Sequence, residues 1–184
     1  LPRGSGFEFA QKVVGGSVPK EYIPSVEKGI QKALPEGVVA GFPVVDLKAT
    51  LVDGSYHPVD SSGMSFEIAG THALTKGVHQ AGPILLEPIM RARITVPDTF
   101  TGDVIGDVNS KRGRIQGMVP QGEETSLIEA EVPQAEMVRY ATELRSQTQG
   151  RGSFVVEFNH YEEVPQNLVQ RVVDLIKEQE TARA

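Results

Sequence analysis

In the stretch Ile89-Met90-Arg91-Ala92-Arg93-Ile94-Thr95-Val96, apolar and polar side chains alternate. A period of two places Met90, Ala92, Ile94 and Val96 on one face of a strand, with Arg91, Arg93 and Thr95 on the other. Downstream the spacing predicts a helix from about Pro97 to Lys111. Pro97 and Asp98 suit its start, Lys111 and Arg112 its end, and Gly113 its C-cap. Strands are expected near 114–119 and 125–132, around the turn Pro120-Gln121-Gly122-Glu123. A helix over about 134–146 carries Met137, Tyr140, Ala141 and Leu144 on one face, and Phe154, Val156 and Phe158 alternate in a last strand. The order β-α-β-β-α-β is the split βαβ, ferredoxin-like arrangement.

Working outward, His79-Gln80-Ala81-Gly82-Pro83 is the stretch that reads as a domain boundary. It divides a first domain, 1–82, from the ferredoxin-like domain, 83–165. Val164-Pro165 closes the latter. Leu168, Val169, Val172, Val173 and Ile176 then mark an amphipathic helix and polar tail over 166–184. In the first domain, Phe7, Phe9 and Gln11 alternate with Glu8, Ala10 and Lys12 in a short strand. Pro19 to Leu34 reads as a helix, with Ile23, Val26, Ile30 and Ala33 in one stripe and Pro24 tolerated in its first turns. A strand over 43–52 and a helix from Phe66 to Val78 follow. The small residues Ala69, Gly70, Ala73 and Gly77 are expected to let that helix approach a sheet. The whole is α+β, two α/β sandwiches and a C-terminal helix.

Composition narrows the function. The 184 residues include no Cys, which excludes disulfides and thiolate chemistry. There is no long apolar run and no signal segment, so no membrane association and a cytoplasmic location are expected. Net charge is −6, and residues 83–165 alone hold 8 basic against 13 acidic side chains. Contact with nucleic acid must therefore be local. Neither a Gly-x-x-x-x-Gly-Lys-Ser/Thr nor a Gly-x-Gly-x-x-Gly phosphate loop occurs, so no catalysis and no cofactor are expected of this piece.

Two stretches are candidate sites. Asp53-Gly54-Ser55-Tyr56-His57-Pro58-Val59-Asp60-Ser61-Ser62 joins a strand to a helix with turn and N-cap residues. Tyr56 and His57 are able to stack on bases, and Ser55, His57 and Ser61 to bond phosphates or base edges. The plainer reading is a capped turn. Ser55, His57 and Asp60 make a poor hydrolase triad without a nucleophile elbow. Asp53, His57 and Asp60 lack metal-ligand spacing. In Arg145-Ser146-Gln147-Thr148-Gln149-Gly150-Arg151-Gly152, two arginines and hydrogen-bonding side chains follow a helix end. They suit a phosphate cradle or, more plainly, a glycine C-cap with solvated arginines. Lys111, Arg112 and Arg114 are weaker, since cations at helix ends usually serve the dipole. His72 and His79 read as solvated surface.

Gly54-Ser55-Tyr56-His57 with Val59-Asp60-Ser61-Ser62 resembles the tip of the fourth domain of translation elongation factor G. The likeness covers nearly the whole chain, through Gly15-Gly16-Ser17-Val18-Pro19, Glu21-Tyr22-Ile23-Pro24, Leu86-Glu87-Pro88-Ile89-Met90, Gly102-Asp103-Val104-Ile105-Gly106-Asp107 and Arg145 to Gly152. It implies a first domain like ribosomal protein S5 domain 2, with a left-handed crossover. It also implies a parent that is a translational GTPase using GTP and Mg, whose nucleotide domain lies outside this chain. Leu1-Pro2-Arg3-Gly4-Ser5, which otherwise resembles a protease-site remnant, becomes native by the same likeness. Gly54, Ser55, Tyr56, His57, Asp60 and Ser61 would meet the mRNA–tRNA duplex in the decoding centre. Arg145, Ser146, Gln149 and Arg151 would contact large-subunit rRNA. The partners implied are the ribosome and the parent's remaining domains. Pro58 stands where many members have Asp, which implies a stiffer tip. The family's second tip loop rides on a strand upstream of Phe7 that the sequence lacks, so the first sheet is expected to be one strand short. A recycling or protection paralogue is the alternative within the family. A ligand-sensing regulatory module is the alternative outside it.

Overall fold

The computed structural model describes residues 1–183. The chain divides into two units, Leu1–Ile84 and Leu85–Ala184, the C-terminal helix belonging to the second.

In the first unit, strand β1 (Phe7–Gln11) pairs in parallel with β2 (Leu47–Leu51), Phe7 opposite Leu47 and Gln11 opposite Leu51. Helices α1 (Ile23–Ala33) and α2 (Gly63–Gln80), with Val18 from the loop before α1, supply the rest of the core. Val18, Val26, Ile30 and Phe66 are buried there, with Phe7, Phe9, Ala49, Leu51 and Leu74 half-buried around them. A single 3-10 turn (Lys20–Tyr22) opens α1, and Pro24 lies at its second position as expected.

The expected strand over 43–52 is shorter than its β-prone sequence. Asp46 takes a left-handed φ of 57°, which breaks extended pairing, and its carboxylate accepts a hydrogen bond from Gly6 N–H at 3.0 Å. Helix α2 is longer than expected, because Ser62 and Ser65 form a capping box ahead of Phe66. Its small-residue stripe also faces differently. Gly70 is buried but Ala69, Ala73 and Gly77 are exposed, and Gly70 meets α1, not the sheet. A Cβ on Gly70 would lie 2.6 Å from the Val26 carbonyl oxygen, and one on Gly29 only 1.9 Å from that of Glu67. The two helices touch backbone to backbone, with the Thr71 hydroxyl donating to Gly29 O at 2.9 Å.

The second unit has the expected ferredoxin-like order. Strands β3 (Leu86–Pro97), β4 (Arg114–Pro120), β5 (Thr125–Pro133) and β6 (Ser153–Glu163) form an antiparallel sheet ordered β4-β5-β3-β6. Helices α3 (Thr101–Ser110) and α4 (Tyr140–Gln147) supply Val104, Val108, Tyr140 and Leu144 to a core that includes Ala92, Ile94, Val96, Ile128, Ala130 and Val132. Helix α5 (Val169–Arg183) buries Val172 and Val173.

Four expectations change. Pro97 ends β3, and a 3-10 turn (Asp98–Phe100) precedes α3; another (Gln134–Met137) precedes α4. Burial in β3 changes phase, with Glu87 and Ile89 buried, Met90 half-exposed, then Ala92, Ile94 and Val96 buried. The pairing with β6 jumps from Ile89 opposite His160 to Met90 opposite Phe158. Asn159 is thus an extra residue on β6, a bulge, and Phe158 beside it is 56% exposed. Finally, Gly113 is not the left-handed residue after α3. Arg112 is, at φ 59°, while Gly113 N–H bonds Val108 O at 2.9 Å. Glycine is needed there because a Cβ would come within 2.5 Å of the Val108 side chain.

Candidate functional site

The loop between β2 and α2 is braced at its base. Asp53 Oδ1 accepts from Gly54 N–H at 2.8 Å. The Ser17 hydroxyl, and then this amide, hold the Asp53 carboxyl below the usual range. Gly54 sits against Val18, where a Cβ would come within 2.5 Å of its Cγ2. Tyr56 leans on Tyr22, ring centroids 5.9 Å apart and planes tilted by 33°. Tyr22 in turn stacks on Phe66 at 4.7 Å and 13°.

Beyond Tyr56 the chain closes on itself. His57 N–H donates to Ser61 Oγ at 2.9 Å, and Ser61 N–H returns a bond to His57 O at 3.0 Å. Pro58 falls inside this ring as part of a turn, where its fixed φ fits and its missing N–H leaves no bond unmade. His57 Nδ1 lies 3.1 Å from Asp60 Oδ2, with the two side chains 67% and 80% exposed. An ion pair so exposed adds little stability; its effect is to direct the imidazole. Thus the loop brings His57, Asp60 and Ser61 together and leaves Ser55 outside their bonds. Among the described residues no three metal-ligating side chains gather.

The second stretch is the end of α4. Gln149 takes the left-handed conformation, φ 54°, followed by Gly150 at φ 80°. Gly150 N–H bonds Arg145 O at 2.8 Å, the wide bond of a Schellman ending. Thr148 is fully buried and ties the turn together. Its hydroxyl donates to Leu144 O at 2.6 Å and accepts from Gly152 N–H at 2.8 Å. Arg145, Ser146 and Gln149 are exposed. Arg151 is engaged elsewhere, its guanidinium 4.8 Å above the Phe100 ring.

Lys111, Arg112 and Arg114 are all neutralised within the chain. Lys111 lies 2.9 Å from both Asp107 and Glu143. Arg112 grips the buried Glu87 carboxylate at 2.6 and 2.9 Å and Glu136 at 3.0 Å. Arg114 reaches Glu162 at 2.5 Å and Glu131 at 3.3 Å. Carboxylates rather than the helix dipole account for these cations. Sequence reasoning gave no role to Tyr22, Phe66, Phe100 or Thr148 at these sites. Only the aromatic character of the first three hinted at one, because each meets its partner from a distant segment.

Residues 1–82 match the family "Elongation factor G, domain IV" and residues 84–172 match "Elongation factor G C-terminus". A crystal structure of a Thermus thermophilus protein is 43% identical over 98% of this chain, with a TM-score of 0.76. The chain spans 26% of that protein's length. Both halves of the sequence match in order, and the chain belongs to the elongation factor G family, carrying its fourth domain and its C-terminus.

Proposed function

We propose that this chain is the ribosome-contacting arm of a translational GTPase, and that it moves tRNA and mRNA without chemistry of its own. In this reading the loop from Gly54 to Ser61 enters the decoding centre during translocation, and GTP and Mg are bound by domains outside the chain. One observation carries the reading. The loop is closed by its own bonds, yet leaves the His57 side chain 67% exposed. Such a preformed, protruding loop suits contact with an irregular RNA surface. The end of α4 adds support, because the Arg145 side chain is exposed and bonds no other described residue, unlike those of Lys111, Arg112 and Arg114. An arginine left unpaired in an acidic domain is available to RNA phosphate. Arg145, Ser146 and Gln149 form this second contact in the proposal, with large-subunit rRNA as partner, and Arg151 flanks it.

The test is His57→Ala in the full-length factor. Translocation is expected to slow by roughly tenfold, equivalent to about 1.4 kcal/mol lost in the moving step. Ribosome-stimulated GTP hydrolysis should stay near its normal rate, since the loop acts after it. Equal losses in both assays would assign His57 to folding or to ribosome association instead.

A further inference from the structure

We propose that Tyr22 is the positioning residue of the His57 loop. It would hold the loop in its presenting conformation through a three-ring ladder, Phe66–Tyr22–Tyr56. The inference rests on reading the loop as the RNA-contacting tip.

Three contacts of one segment carry it. Ser17 lies beside Asp53, Val18 against Gly54, and Tyr22 against Tyr56. The segment from Ser17 to Tyr22 therefore backs the loop from Asp53 to Tyr56 along its length. The middle contact fixes the distance, because only a residue without Cβ lets the loop come so near Val18. Tyr22 sits at the entrance to α1, and Phe66 in the first turn of α2. The Tyr22 ring thus joins the starts of two helices whose crossing is fixed by Gly29 and Gly70. Tyr56, the last ladder ring, is the residue next to His57. The 57–61 ring of hydrogen bonds closes the loop, and the ladder holds that ring against the starts of the two helices, so that loosening the ladder lets the ring open more often. Tyr56 consequently has one role besides any contact with bases, which is to anchor the loop. The Tyr22 phenol is shifted upward by desolvation and then by Glu21 and Tyr56, and its ring is half-buried.

Tyr22→Leu removes the middle ring and keeps apolar bulk. An aromatic pair corresponds to about a threefold to tenfold change in local opening. The Ser61 amide of the 184-residue chain should therefore exchange faster by that factor, while strands Phe7–Gln11 and Leu47–Leu51 exchange as before. Tyr22→Phe should restore the original rate. Tyr56→Leu should reproduce the Tyr22→Leu effect without touching α1, and serves if Tyr22→Leu disturbs the fold. In the full-length factor, Tyr22→Leu should slow translocation, and adding it to His57→Ala should slow it no further. Unchanged Ser61 exchange in both leucine variants would overturn the proposal. So would a loosened loop that translocates normally in a factor that His57→Ala slows. If His57→Ala itself has no effect, the reading of the site fails. The exchange rates would still decide whether Tyr22 holds the loop.

Discussion

The two units solve the same packing problem with very different means. The second closes a four-stranded sheet over two helices, and Ala92, Ile94, Val96, Val104, Val108, Ile128, Ala130, Val132 and Tyr140 are wholly shielded from solvent. The first has two paired strands and no core side chain at zero exposure, its best-buried being Val18 at 2%, Ala33 at 6% and Val26 and Ile30 at 7%. Its helices compensate by backbone contact at Gly29 and Gly70. The unit that carries the exposed His57 loop is thus the thinner of the two. Loops drawn from the less protected part of a fold open more readily.

The largest effect should fall on the second unit. Ile94→Ala leaves a hole among wholly buried neighbours, and a loss near the upper end of about 2–5 kcal/mol is expected. Ile30→Ala, at a site that is able to collapse or hydrate, should fall near the lower end. Hydrogen exchange of β3 and β5 amides against those of α1 reads the two losses separately. Equal losses would break the comparison.

Gly29→Ala comes next and sharpens it. Helix propensity alone favours alanine by about 1 kcal/mol. Here the new methyl would land 1.9 Å from the Glu67 carbonyl oxygen, so a net loss of about 1–3 kcal/mol is expected as α1 and α2 are pushed apart. A gain in thermal stability would show that backbone contact does not hold the first unit together.

The smallest effect is alkaline. Burial, and then Asp107 and Glu143, push the Tyr140 phenol well above its ordinary 10.0. When the folded value is raised, the native state holds its proton longer than the unfolded chain. The stability this contributes is complete below about pH 10 and falls as pH rises past it. Urea unfolding at about pH 8 and about pH 10.5, on either side of that ordinary value, should show the second unit weakening. Tyr140→Phe should flatten that loss at little cost near neutrality, because the hydroxyl is buried without a hydrogen-bond partner among the described residues. A Tyr140→Phe variant that weakens just as much in alkali would assign the effect to other groups.

The same contrast governs what the sequence disclosed. In the second unit, Ala92, Ile94 and Val96 alternate, and Val104 and Val108 repeat at helical spacing. These local periods are enough to order its elements. What they missed depends on residues far away. The switch of burial from Ile89 to Ala92 along β3 depends on what covers each face of the strand, which its own alternation does not specify. Phe158 alternates correctly yet ends up exposed. In the first unit, Val44 and Val45 look like strand, but Asp46 turns the chain to bind Gly6. Gly70 was recognisable as a close-approach residue; which element it approached was not. The candidate loop was legible as a turn with a cap, and the family likeness supplied its role. Its brace was illegible, because nothing in the spacing links Tyr22 to Tyr56.

The endings of α3 and α4 bear on how this protein can be redesigned. Both place a side chain, Arg112 or Gln149, at the left-handed position where glycine is the customary choice. A stabilising redesign would substitute glycine at both to relieve about 1 kcal/mol of backbone strain each. At 112 that exchange would be ruinous, stranding the buried Glu87 without its cation and leaving Glu136 only Arg171 at 3.8 Å. At 149 it would cost the fold nothing, since the exposed glutamine bonds no other described residue. The proposed contact with rRNA assigns a use to that strain. Position 149 is therefore where optimising the isolated protein and optimising its proposed work on the ribosome would part company.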